Sequence, residues 1–267
     1  MVWDVFRRLF FRLIWRIFKP KDSEYKNHVE SIGMKLYPKV ASIDETIEEL
    51  ISNRKSIARY GDGEFMLCFG RSINFQRRDR FLRKRLRMIL QNNSPSCLIG
   101  LPDYNPQLFS SFWWQFWYEN TKIVSRMLNT NTKYYNQGIS RGINLEQIER
   151  LKAVWEGRNV IFIYGRGSRF DIGHELFCNV NERHTIEGLA VNAWFEYDSL
   201  IQKVLDLSKT ISNPLVICSL GPTATVLAFD LSIELQTIDL GHLTNVFDML
   251  KYGANSPENL PSQVIDE

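Results

Sequence analysis

Apolar positions recur along this chain at two different periods, and the alternation between them predicts an α/β fold. Short continuous apolar runs read as buried strands at Ser56 to Tyr60, Cys97 to Leu101, Asn159 to Tyr164, Pro214 to Leu220 and Gln236 to Leu240, with weaker strand signals at Lys133 to Asn136 and His184 to Glu187. Between them the apolar residues fall at helical spacing over Ile43 to Ser52, Asp79 to Gln91, Pro106 to Leu128, Leu145 to Trp155, Phe170 to Cys178, Asn192 to Leu207 and Val226 to Leu231. Ser42 with Glu45 gives the first of these a capping box. The stretch from Pro106 carries Phe109, Phe112, Trp113, Trp114, Phe116, Trp117 and Tyr118, aromatic on so many sides that it predicts a helix buried on more than one face. Strands alternating with helices point to an α/β fold with a mostly parallel sheet.

Val2 to Phe18 follows a different logic. On a helical wheel Asp4, Arg7, Arg8, Arg12, Arg16 and Lys19 occupy one half, and Val2, Trp3, Phe6, Leu9, Phe10, Leu13, Ile14 and Ile17 fill most of the other. Four arginines through its middle argue against a bilayer-spanning helix, and no small-residue cleavage site follows. The segment reads as a basic helix lying in the interface of an anionic membrane, or else as one that packs on its own domain or in a homo-oligomer. Pro20 ends it and Lys21 to Asn27 reads as a polar linker. The expected organisation is therefore an amphipathic helix and linker over 1–27, a catalytic domain over 28–250 and a polar tail over 251–267.

Composition narrows the class. The 267 residues are 44% hydrophobic and 24% charged, enough to bury a large core. Net charge is +3, but residues 1–21 alone carry +5, so the rest of the chain sums to −2 and no nucleic-acid partner is expected. Cys68, Cys97, Cys178 and Cys218 form no C-x-x-C and read as buried thiols of a reducing compartment. With a cytoplasmic chain and a basic amphipathic start, the expected location is the inner face of the cell membrane.

Chemistry concentrates in the glycine-containing turns that follow the strands. Ser56 to Phe65 delivers Gly61-Asp62-Gly63-Glu64 directly after a strand. If the turn is extended, Asp62 and Glu64 point the same way, and paired carboxylates suit a hard cation such as Mg²⁺ or Mn²⁺ bridging to phosphate. Gly165 to Arg169 and Gly221-Pro222-Thr223-Ala224-Thr225 are strand–turn–helix junctions, where free backbone N–H groups and the helix dipole favour phosphate. Neither matches a dinucleotide fingerprint or a Walker A loop.

Several of these stretches, in this order, resemble the GT-D fold glycosyltransferases: Ala58 to Phe65, Ile99 to Asp103, Ser140-Arg141, Gly165 to Arg169, Asn192-Ala193, Leu220 to Ala228 and Ile238 to His242. The resemblance spans roughly residues 40 to 245. It implies a Rossmann-like α/β domain with a mostly parallel sheet that transfers a sugar, glucose or a related hexose, from a nucleotide diphosphate donor such as a UDP-sugar. The acceptor it implies is a glycan, lipid-linked or not, in surface polysaccharide or glycoprotein synthesis. On that resemblance Asp62 and Glu64 hold Mn²⁺ or Mg²⁺, and Arg59, Gly61, Arg169, Gly221, Thr223 and Thr225 face the diphosphate. Asp239 and His242 stand at the same rim as sugar or acceptor contacts. The chain departs from the family pattern at Ile233-Glu234-Leu235 and at Leu243 to Phe247, which puts the acceptor side in question. The residues equally fit another phosphate-handling enzyme on lipid-linked sugars, or a non-catalytic subunit of a glycan assembly complex.

Overall fold

The computed structural model describes residues 22–256. The chain divides into two compact units, one of residues up to 38 with 104–126, the other of residues 39–103 with those from 127 onward.

The larger unit is built on a seven-stranded sheet in the order β3-β2-β1-β7-β6-β4-β5. Its strands are β1 (Ser56–Arg59), β2 (Cys97–Leu101), β3 (Tyr135–Asn136), β4 (Asn159–Gly165), β5 (Glu182–Gly188), β6 (Pro214–Ser219) and β7 (Thr237–Asp239). Every pairing is parallel, as in the register of Ile57 with Leu98 on one side and with Ile238 on the other. A parallel sheet needs covering on both faces, which is why β4 and β6 read as unbroken apolar runs. Val160, Phe162, Leu215, Ile217, Ile57 and Ile238 point to one face, where they pack with α2 (Ile43–Ser52), α6 (Leu145–Leu151) and α9 (Leu243–Tyr252). Ile161, Ile163, Val216 and Cys218 point to the other, under α7 (Tyr197–Ser208) and α8 (Pro222–Leu231). The helices α3 (Asp62–Cys68) and α4 (Arg80–Leu90) join β1 to β2. β1 and β7, neighbours at the middle of the sheet, bring their carboxyl ends together.

The smaller unit contains α1 (Asp22–Leu36) and residues 111–126 of α5 (Ser111–Met127). Trp117 is fully buried with the Tyr37 and Tyr104 rings each 4.9 Å from its own. The Tyr104 hydroxyl donates to the Val29 carbonyl at 2.9 Å. Phe112, half exposed, shows that this aromatic helix is not covered on all sides.

The expected helix over Val2 to Phe18 lies outside the described residues, as does the tail beyond residue 256. Asp22 to Asn27 belongs to α1 and is not a linker. The expected helix over Phe170 to Cys178 is a single 3₁₀ turn, Glu175–Phe177, because Asp171 accepts from the Gly173 N–H at 2.7 Å and its Asx turn competes with helix formation. Cys68, Cys97 and Cys218 are buried free thiols, whereas Cys178 is exposed. Among the described residues, no helix is long and apolar enough to cross a membrane.

Candidate active site

Arg59, the last residue of β1, and Asp239, the last of β7, form the floor of the site. The Arg59 Nη2 donates to Asp239 Oδ1 at 2.9 Å, its Nε to the Asp239 carbonyl at 2.5 Å, and its Nη1 to the Ser140 hydroxyl. The Arg59 backbone N–H reaches Asp239 Oδ2 at 3.4 Å. The Thr225 hydroxyl lies 3.0 Å from the Arg59 carbonyl and 3.3 Å from that same carboxylate oxygen. Asp239 is buried, and burial raises its carboxyl above the usual range although every bond from Arg59 and Thr225 pulls it down. Gly241 makes the arrangement sterically possible. Its φ is +53°, and a Cβ there would stand 2.1 Å from Arg59 Nη2.

Sequence reasoning expected Asp62 and Glu64 on an extended turn. The structure makes them the first and third residues of α3, capped by extended Gly61. Carboxylates favour a helix N-terminus, and the Glu64 side chain accepts the Gly61 N–H at 2.8 Å, which is half of a capping box. Residues two apart on a helix stand about 200° apart around its axis, so strand alternation does not align this pair. Asp62 is exposed and Glu64 half-buried. Protein nevertheless crowds the Glu64 carboxyl closely enough that desolvation, with Asp239 adding to it, pushes it up to about 7 against the pull of the Gly61 N–H and Arg59.

Two further cations, Arg141 and Arg169, and an imidazole stand around this floor. Burial and Arg59 push the Arg141 guanidinium down while Asp62 and Glu64 pull it up, which places Arg141 in the field of both carboxylates. His242 keeps exposed surface, but desolvation together with Arg141, Arg59 and Arg169 pushes it down to about 4, so its ring is neutral at pH 7. Nη1 of Arg169 is buried without a hydrogen-bond partner. Arg141 follows Ser140 in the loop after β3 and was missed as a site residue. Its sequence signals are the Ser140-Arg141-Gly142 loop at the end of a weak strand and the place of Ser140-Arg141 among the stretches that resemble the GT-D family.

The α8 N-terminus differs from the expectation of an open phosphate cradle. Gly221 has φ +54° and ψ −144°, and a Cβ on it would meet the Phe75 ring at 2.7 Å. Thr223 is fully buried and its hydroxyl has no hydrogen-bond partner. Phe75 is held there by Asn192, which is left-handed at φ 58°. The Asn192 N–H donates to the Phe75 carbonyl at 2.8 Å and its side-chain oxygen accepts the Arg77 N–H at 2.8 Å.

Comparison with known proteins agrees with this architecture. Residues 57–267 match the model of the glycosyltransferase GT-D fold. The chain is 31% identical over 232 residues to Glycosyltransferase GlyD of Streptococcus pneumoniae serotype 4, covering 81% of this chain and 28% of GlyD. It is 27% identical over 240 residues to the Probable glycosyl transferase Gly of Streptococcus gordonii, covering 81% of this chain and 33% of that protein. The chain thus spans a third or less of the length of both relatives. A solved structure described as the highly conserved domain of unknown function 1792, with a distinct glycosyltransferase fold, superposes with a TM-score of 0.76 at 30% identity, over 85% of this chain and 86% of that one. This α/β chain, with its all-parallel sheet and a charged site at the carboxyl edge, thus has a glycosyltransferase fold. The chain belongs to the GT-D glycosyltransferase family.

Proposed function

We propose that the chain transfers a sugar from a nucleotide diphosphate donor, a UDP-hexose by preference, to a glycan acceptor, with a divalent cation held by Asp62 and Glu64. The observation that carries this reading is that, beyond the carboxyl end of β1, Arg141 stands in the electrostatic field of both carboxylates of α3, and His242 in that of Arg141 and Arg169. The donor set fits a hard cation. Asp62 is exposed at the helix start, and Glu64 gives only Oε2 to the Gly61 N–H, leaving Oε1. Among the described residues, no group of three or more acidic, His or Cys side chains could hold an ion alone, so diphosphate oxygens and water would complete the shell, as is usual for Mg²⁺. When bound, the cation would neutralise charge developing on the departing diphosphate.

The chain's own residues do the rest. Arg141 and Arg169 supply fixed positive charge to the diphosphate, a form of stabilisation that needs no rearrangement during reaction. Arg59 is already committed to Asp239 and Ser140, so it positions the floor of the site. His242, neutral, offers a hydrogen bond to a sugar or acceptor hydroxyl. Residues 2 to 18 would hold the enzyme at an anionic membrane where a lipid-linked acceptor resides. A screen of nucleotide sugars with Mn²⁺ or Mg²⁺, read as released nucleoside diphosphate, tests the reading. Turnover of one donor that stops with a chelator is expected, and a chain that turns over none and binds neither UDP nor metal would overturn it in favour of a scaffold role.

A further inference from the structure

Helix α4, Arg80–Leu90, presents to solvent a face that the acidic rim does not use. Its inner side is Leu82, Leu86, Ile89 and Leu90. At 100° per residue its outer arc carries Arg80, Arg83 and Lys84 as an exposed ridge, continued by the half-buried Arg87, whose Nε donates to the Cys68 carbonyl at 2.9 Å, with Phe81 and Met88 along the flank. The two apolar side chains are 59% and 46% exposed, and the Arg80 guanidinium lies 4.5 Å from the Phe81 ring centre. Beyond the helix, Asp79 Oδ1 accepts both the Phe81 N–H at 2.8 Å and the Trp194 Nε1–H at 3.0 Å, and the residue after Trp194, Phe195, is 65% exposed. Asp79 is thereby occupied as the helix cap, Arg85 is paired with Asp230, and no acidic residue lies within α4 itself.

We propose that this face is a contact surface for an anionic lipid bilayer, its cations among the headgroup phosphates and Phe81 and Phe195 in the interfacial layer. A basic ridge alone would suit any polyanion. Exposed phenylalanines and a methionine beside it distinguish the ligand, because a bilayer interface takes up apolar side chains and cations together, whereas a nucleic-acid backbone rewards only the charge. α4 also starts at the end of the sheet where Asp62 lies. The segment joining it to α3 places Ile73 3.3 Å from a Cβ built on Gly63, and Phe75 over Gly221. The rim of the site would therefore open beside the lipid. The contact itself depends neither on residues 1–21 nor on the donor, and only its use for a lipid-linked acceptor rests on the reading above.

Flotation of the full-length chain with vesicles of phosphatidylcholine and phosphatidylglycerol tests the proposal. Two variants, R83Q/K84Q and F81S/F195S, are compared with the parent, with unchanged thermal melts showing that both fold. Each cation near an anionic surface is worth about fivefold in partition, so R83Q/K84Q is expected to bind about twenty-five-fold more weakly at low salt. F81S/F195S should lose the part of the salt-resistant binding that residues 2 to 18 do not supply, and phosphatidylcholine alone should retain little of the parent. The proposal is overturned if both variants float like the parent, which would leave membrane binding to residues 1–21. It is equally overturned if the parent does not float, or if duplex DNA strips it from the vesicles and R83Q/K84Q abolishes that competition.

Discussion

Two junctions of this molecule look alike in sequence and behave differently in the fold. β1 runs through Tyr60 and Gly61 into α3, and β6 runs through Leu220 and Gly221 into α8. Both are led by glycine, and both aim a helix N-terminus at the carboxyl edge of the sheet. At the first, Asp62 stands in solvent. At the second, Thr223 and Thr225 are fully buried and the Phe75 ring lies against Gly221. A strand–glycine–helix junction supplies free backbone N–H groups and a dipole wherever it occurs. Whether a ligand reaches them is decided by what packs over the junction, here the segment that Asn192 fastens down.

Asp239 ties the two junctions together, since its Oδ2 faces both the Arg59 N–H of β1 and the Thr225 hydroxyl of α8. Removing it should produce the largest effect on the molecule. Asp239→Ala leaves the Arg59 guanidinium, 11% exposed, without its counter-charge, and breaking a buried pair from one side costs about 3–5 kcal/mol. Urea unfolding measures this, and a loss below about 1 kcal/mol would mean that the junctions are held by other contacts.

The open junction should respond in the opposite way, through activity and not stability. Asp62→Asn and Glu64→Gln are expected to lower donor turnover about 10²- to 10³-fold, the usual cost of deleting one group that stabilises developing charge. Glu64→Gln keeps an acceptor for the Gly61 N–H, and Asp62 is exposed, so the unfolding midpoint should move by less than about 0.5 kcal/mol equivalent. Unchanged turnover, insensitive to chelator, would transfer the chemistry away from α3.

How far the sequence reveals this difference can be followed residue by residue. β4 and β6 are legible because strands covered on both faces are apolar throughout. Strand order is not legible, so nothing in Ser140-Arg141-Gly142 announces that the loop after β3 delivers Ser140 to Arg59 and Arg141 to the carboxylates. The α3 start reads as an extended turn because Gly61 and Gly63 weaken a seven-residue helix, whose stability comes from burying Phe65, Leu67 and Cys68. The closure of the α8 start comes from residues 72–79, a stretch with almost no periodic signal of its own. Arg59 and Asp239 carry no mark in the sequence that separates a ligand contact from the partners they are to each other.

A smaller effect is expected at Gly221. Its φ and ψ lie where side chains are seldom tolerated, so Gly221→Ala should cost about 1–3 kcal/mol. Part of this comes from the Phe75 ring, which must move to admit a Cβ at 2.7 Å. A double-mutant cycle separates the terms: Phe75→Ala should recover the steric share and leave the backbone strain. Full additivity of the two substitutions would show that Phe75 does not seal this junction.

The smallest effect gives the sharpest test of whether the second junction is closed or only covered. The Thr223 hydroxyl is buried with no partner, so replacing it by a methyl in Thr223→Val removes a polar atom that solvation would otherwise reward. If the junction stays shut throughout the reaction, the variant should gain up to about 1 kcal/mol in unfolding free energy and bind UDP as the parent does. If the diphosphate displaces Phe75 and reaches the α8 N-terminus, the same hydroxyl becomes a ligand donor. Thr223→Val then binds UDP about tenfold more weakly, the loss of about 1.4 kcal/mol expected for a hydrogen bond to a charged group. Calorimetry of UDP binding with the chosen divalent cation, alongside urea unfolding of the unliganded chain, reads the two outcomes independently. A stabilised variant with weakened binding would place the diphosphate across both junctions, with Asp62 and Glu64 at one end and Thr223 at the other.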